Sequence, residues 1–208
     1  MIYAITNRKL VPGGEQNFLH QIEKIAAAGP DGIILREKDL SPEAYEALAQ
    51  ACEKICRDYR VPLILNHFQA VGRRLNIRRI HLSMAVFKAL AETSDGLEGW
   101  NQIGVSVHSP EEAVYAEAKG ADYLIAGHIF PTDCKKGLEP RGLDFLSEIC
   151  RKVRIPVFAI GGMDLVHGPQ ALKAGAFGIC MMSELMKSER PEEILQRFSG
   201  RSLEKMIK

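Results

Sequence analysis

Eight parallel strands closed into a barrel and wrapped by helices form the fold that this sequence predicts. Three observations carry that reading. Eight short apolar runs recur along the 208 residues, each gives way to a segment with polar and apolar residues in periodic order, and no linker, repeat or low-complexity tract interrupts the alternation. Strands apolar on both faces belong to a parallel sheet covered by helices. Eight such units in about 200 residues sit at the small end for a (β/α)8 TIM barrel, so a single α/β domain spanning residues 1–208 is expected. An open doubly wound sheet is the competing topology. It is the weaker one, because Ala159 to Met163 holds only the pair Gly161-Gly162 and nothing reads as a GxGxxG turn after a strand.

The elements follow in order. The first run is Ile2 to Thr6 and the second Gly32 to Lys38. A helix is expected over Ser41 to Tyr59, with Tyr45, Leu48, Ala49, Cys52 and Cys56 on one face at 3.6-residue spacing. Its start combines a capping hydroxyl, a first-turn proline and an acid in Ser41-Pro42-Glu43. The third to fifth runs are Pro62 to Asn66, Arg79 to Ser83 and Gln102 to His108, with Gly96 to Trp100 as the most loop-like span. Ser109-Pro110-Glu111 repeats the helix-start signal. The runs Asp122 to His128, Ile155 to Gly162 and Phe177 to Ser183 complete the eight, and Arg190-Pro191-Glu192-Glu193 opens a last helix without a capping side chain.

Composition narrows the function. With 46% hydrophobic and 25% charged residues the chain reads as a well-cored globular protein. The 27 basic and 26 acidic residues leave a net charge of +1, which excludes sequence-independent nucleic-acid binding and makes any anion site local. No apolar run approaches the roughly 20 residues that cross a bilayer, and MIYAITNRKL lacks a signal-peptide pattern, so no membrane association and a cytoplasmic protein are expected. Five cysteines at irregular spacing suit a reducing compartment. Cys52 and Cys56 have no accompanying ligand pair and read as core, so no metal site is expected.

In such a barrel the chemistry sits where strands end. Those positions are polar here: Arg36, Lys38, Asn66, Ser106, His108 and His128, with Thr132, Lys135 and Lys136 just beyond. An imidazole can both give and take a proton near neutrality, which makes His128 the candidate acid-base residue. Small Ala126, two residues earlier, is expected to leave room beside it. His108 is a candidate substrate contact, while His20, His67, His81 and His167 read as structural. Gly161-Gly162 after the seventh run and Met182-Ser183 after the eighth stand where barrels bind phosphate through backbone N–H groups. A tight turn needing positive φ would select the same glycines. Cys134, beside Lys135 and Lys136, is a lesser candidate nucleophile.

From Tyr3-Ala4-Ile5-Thr6 through IGVSVHSPEEA and GHIFPTDCKKG to AIGGM and MMSEL, the chain resembles the thiamine phosphate synthase superfamily over nearly its whole length. The GH-aliphatic-F loop followed by TDCKKG is most similar to the thiazole tautomerase, or TenI-type, branch. That resemblance implies a cofactor-independent isomerase of thiamin biosynthesis, which converts a carboxythiazole phosphate tautomer into the aromatic carboxythiazole phosphate. It places the acid-base role on His128 and the phosphate contacts on Gly161, Gly162, Met182 and Ser183. We assign the substrate carboxylate to Arg36 and Lys38, with Asn66, Ser106, His108 and Lys136 as further substrate contacts. The synthase branch carries an Asn-Asp pair after the third strand and an acidic motif after the fourth, both tied to magnesium; this chain has Asn66-His67 and His81-Leu82-Ser83-Met84. The alternatives are a magnesium-dependent thiamine phosphate synthase and a regulatory protein that binds the ligand without turnover. Barrels of this kind associate through outer helices, so a homodimer is expected.

Overall fold

A computed structural model describes residues 1–132, 135 and 137–198. Cys134 and Lys136 therefore lie outside the described residues. Eight parallel strands close into a barrel in sequence order: β1 (Ile2–Ile5), β2 (Gly32–Leu35), β3 (Leu63–Asn66), β4 (Arg79–Ser83), β5 (Gln102–Val107), β6 (Tyr123–Gly127), β7 (Val157–Ile160) and β8 (Gly178–Met181). The β1–β8 pairing, with Tyr3 opposite Cys180, shuts the cylinder. The helices between them are α1 (Gly14–Ala27), α2 (Pro42–Asp58), α3 (Gln69–Leu75), α4 (Met84–Ala91), α5 (Pro110–Ala118), α6 (Gly142–Lys152), α7 (His167–Lys173), α8 (Ser183–Met186) and α9 (Pro191–Arg197). The predicted (β/α)8 barrel is the observed fold. Most strands are one to three residues shorter than their apolar runs, because the polar residues that end the runs leave the hydrogen-bonded ladder.

Strand alternation creates two separate apolar regions, which explains why these strands lack a polar face. Tyr3, Ile5, Ile34, Ile64, Tyr123, Ile125, Phe158 and Cys180 fill the barrel interior. Their neighbours along the chain, such as Ala4, Leu35, Leu65 and Ala126, point outward into the layer beneath the helices. Within the barrel the Tyr3 and Phe158 rings stack at 4.4 Å, and Tyr123 meets both edge-on. Gly104 makes this packing possible: a Cβ there would lie 2.0 Å from Tyr123 Cζ, so the Tyr123 ring crosses β5 where that strand has no side chain.

The helix-start signals act as expected. Ser41 Oγ accepts from Ala44 N at 3.2 Å and Ser109 Oγ from Glu112 N at 3.2 Å, while no side chain caps α9. The predicted face of α2 is the buried one, and each large apolar side chain so placed contributes about 1.5–3 kcal/mol. Tyr45 does more than pack. Its hydroxyl donates to Leu35 O at 2.6 Å and accepts from Asn66 N at 3.0 Å, which fixes the ends of β2 and β3 relative to each other. Burial pushes the thiols of Cys52 and Cys56 up, the latter to about 12, as befits core residues. No helix among the described residues is long and apolar enough to cross a membrane.

Candidate active site

The C-terminal rim of β2 carries two cations around one buried acid. Glu37 is 2% exposed and turns away from its neighbours Arg36 and Lys38. Its Oε1 accepts from Thr6 Oγ1 at 2.7 Å and Arg8 N at 3.0 Å, and its Oε2 accepts from Arg8 Nη1 at 3.0 Å. Thr6 Oγ1 in turn accepts from Arg36 N at 2.9 Å, so one network holds the β1 and β2 ends together. Arg8 is also forked onto Asp39, at 2.6 and 2.9 Å. The two acids that follow β2 are therefore both engaged by Arg8. Among the described residues neither Arg36 nor Lys38 has a carboxylate partner. Desolvation, with repulsion from Arg36 and Lys135, pushes the Lys38 ammonium below its ordinary range. Sequence reasoning missed Glu37; an acid between two candidate ligand cations was the available signal.

Across the mouth, β6 ends at Gly127 and His128 follows, half-buried. Its Nε2 lies 3.3 Å from Leu138 O, and since a carbonyl only accepts, Nε2 carries the hydrogen in this contact, which in the neutral ring leaves the lone pair on Nδ1. The expected role of Ala126 is corrected here. Ala126 points into the outer core, so it opens no space beside the imidazole. Gly161 does: its missing Cβ would stand 2.4 Å from His128 Cβ. His108 is exposed, with its backbone N–H bonded to Glu112 Oε2 at 2.7 Å. Desolvation lowers its imidazole pKa; Glu112 opposes this, and Arg141, Lys135 and His128 add to the lowering. These residues thus share one electrostatic neighbourhood.

Below the rim lies a polar layer inside the barrel. Asn66 is 4% exposed; its Nδ2 donates to His81 O at 3.1 Å, and its Oδ1 has no partner among the described residues. His81 places Nε2 at 2.8 Å from Ser106 Oγ and Nδ1 at 3.3 Å from Tyr123 OH. Burial, aided by Lys38 and Arg36, pushes its pKa down to about 3, so the ring is neutral. His81 is structural in contacts, as the sequence suggested, yet it touches a candidate ligand residue.

The loops after β7 and β8 complete the rim. Gly161 and Gly162 have φ values of +98° and +65°, and a Cβ on Gly162 would lie 2.7 Å from Pro131 O. Backbone geometry alone therefore requires both glycines. The carbonyls of Ile160 and Gly161 accept from Ile129 N and Phe130 N at 2.8 and 3.1 Å, which locks this loop to the one bearing His128. The Gly161 N–H points along the β7–β8 ladder towards Cys180, whereas the N–H groups of Gly162, Met182 and Ser183 find no acceptor among the described residues, leaving three donors for an anion.

A magnesium diphosphate site does not fit the described residues at the ends of β3 and β4. Asn66 offers an amide, and His67 is exposed. Ser83 caps α4 through Val86 N at 3.5 Å, and Met84 is buried. Among the described residues no group of three His, Cys, Asp or Glu side chains converges on a point. Magnesium requires hard oxygen donors with carboxylate charge.

Comparison with known proteins gives the family. The profile described as thiamine monophosphate synthase matches residues 2–185. The chain is 33% identical over 186 residues to the thiamine-phosphate synthase of Shouchella clausii, covering 89% of this chain and 88% of that protein. It is 32% identical to thiamine-phosphate synthase 2 of Streptococcus pneumoniae, over 95% of this chain and 92% of that one. The solved thiamine phosphate pyrophosphorylase of Pyrococcus furiosus aligns with a TM-score of 0.81 at 28% identity, covering 100% of this chain and 96% of its own. The chain belongs to the thiamine monophosphate synthase family.

Proposed function

We propose that this barrel binds a phosphorylated carboxythiazole and isomerises its non-aromatic tautomer to the aromatic ring, without a metal. The observation that carries the reading is the mouth itself: an imidazole whose Nδ1 has no partner among the described residues stands across from a rim whose Arg36 and Lys38 have no carboxylate partner among them either. In this reading Arg36 holds the substrate carboxylate through its planar fork and Lys38 through its charge. The free N–H groups of Gly162, Met182 and Ser183 hold the phosphate, with Gly161 shaping the loop. His128 removes the proton from the ring carbon bearing the carboxylate, the exocyclic double bond shifts into the ring, and the same imidazole returns a proton to the exocyclic carbon. Aromatisation supplies the driving force. Asn66, Ser106 and His108 contact the ligand.

A second reading, thiamine-phosphate synthase, is favoured by the names of the relatives. The residues at the ends of β3 and β4 weigh against it, since neither supplies a magnesium carboxylate. The deciding experiment adds purified protein to the thiazole tautomer and follows aromatisation by ultraviolet absorbance. An increase above the uncatalysed rate supports the isomerase; none, together with thiamine phosphate formation from thiazole phosphate and a pyrimidine diphosphate, establishes the synthase.

A further inference from the structure

The pairing of β4, β5 and β6 sets His81, Gly104 and Tyr123 side by side, with Ser106 one inward-facing position above Gly104. Because Gly104 has no side chain, the Tyr123 ring lies across β5 and its hydroxyl reaches His81 Nδ1 at 3.3 Å. The opposite nitrogen reaches Ser106 Oγ at 2.8 Å. Three hydroxyl and imidazole groups thus form one chain, from the barrel interior towards its mouth.

The chain can run in two directions. In one, Tyr123 O–H donates to Nδ1, Nε2–H donates to Ser106 Oγ, and the Ser106 proton is free. In the other, Ser106 O–H donates to Nε2, Nδ1–H donates to the phenol oxygen, and the Tyr123 proton has no acceptor. Tyr123 is 1% exposed, and among the described residues its hydroxyl has no partner other than His81. Leaving that proton unpaired in the interior disfavours the second direction by about tenfold or more, whereas Ser106 is half-buried at the mouth and can donate to a ligand or water. A doubly protonated ring is excluded by burial and by Arg36 and Lys38 facing it.

We propose that Tyr123 and His81 are positioning residues forming a one-way relay that sets Ser106 as a hydrogen-bond donor, so that the site takes an acceptor atom of the substrate at that point. On the carboxythiazole reading that acceptor is a carboxylate oxygen; the relay itself does not depend on that reading. Two measurements test it. Long-range nitrogen-15 correlation spectra of the ligand-free protein report the His81 tautomer. The Nε2–H form between about pH 6 and 8 is expected, and the Nδ1–H form overturns the proposal. Titration with the aromatic carboxythiazole phosphate then compares Tyr123→Phe, Ser106→Ala and the double variant. Each single change should weaken binding by about tenfold, and Tyr123→Phe should add nothing once Ser106 is gone. Equal loss from Tyr123→Phe in both backgrounds would make Tyr123 a packing residue and overturn the relay. If Tyr123→Phe does not fold, the wild-type tautomer alone decides. Should the wild-type protein fail to bind this ligand, the carboxythiazole reading falls while the tautomer still judges the relay.

Discussion

At the residue scale, the identity of one side chain rests on the absence of another. His128 stands at the mouth because Gly161, on the neighbouring strand end, has no Cβ to collide with it. The imidazole donates through Nε2 to Leu138 O, so Nδ1 is the atom that accepts a proton. His128→Asn preserves much of the volume but cannot carry a proton at neutral pH. It should lower turnover of the thiazole tautomer by about 100-fold or more with ligand affinity changed only slightly. Steady-state rates beside calorimetric titration check this. Unchanged turnover would transfer the proton to another group, with His108, within electrostatic range of His128, examined next. His128 was legible in the sequence because histidine is an unusual way to end an apolar run. Gly161 was legible as a turn or phosphate-loop residue but not as the neighbour that makes room for His128, since spacing along one strand does not show what faces it from the next.

At the element scale, the C-terminal ends of strands are held in place by side chains that never meet a ligand. Tyr45 on α2 binds both Leu35 O and Asn66 N, and the phenol is fully buried. Tyr45→Phe keeps the ring packed and leaves a buried carbonyl and N–H unpaired, so it should destabilise the protein by about 1–3 kcal/mol in urea unfolding. A loss below about 0.5 kcal/mol would show that water replaces the hydroxyl. The Gly161-Gly162 turn gives a second expectation. At φ +65° and 2.7 Å from Pro131 O, a β-branched side chain at 162 is both strained and blocked. Gly162→Val should lower stability by about 2 kcal/mol or more. Its effect on phosphate binding is then inseparable from its effect on the loop. The phosphate site is better tested in the wild-type protein, where the phosphorylated carboxythiazole should bind at least tenfold more tightly than its alcohol. The elements themselves were legible, because two-sided burial makes apolar runs and helix caps carry their own chemistry. Glu37, the bonds of the Tyr45 hydroxyl and the His81–Tyr123 contact were not, because each depends on which strand lies beside which.

At the scale of the whole molecule, a chain with net charge +1 gathers at one end of its barrel cations, Arg36 and Lys38, that have no carboxylate partner among the described residues. Acids are present there, but Glu37 and Asp39 are committed to Arg8, and the β3 and β4 ends carry an amide and a hydroxyl. On the proposed reading, such a mouth attracts an anion directly. Among the described residues it lacks a group of carboxylates that would let magnesium mediate the attraction. Aromatisation of the thiazole should therefore proceed at the same rate in EDTA and in millimolar Mg²⁺. Mixing the protein with Mg²⁺, thiazole phosphate and the pyrimidine diphosphate should yield no thiamine phosphate above background. Proton transfer by an imidazole requires no Lewis acid when the carbanion delocalises into the ring being formed. Loss of tautomerisation on chelation, with recovery on adding Mg²⁺, would place a metal in the site and remove the case for His128 acting alone. Thiamine phosphate formation that requires Mg²⁺ would instead show that this barrel assembles a diphosphate site from residues other than those at the ends of β3 and β4.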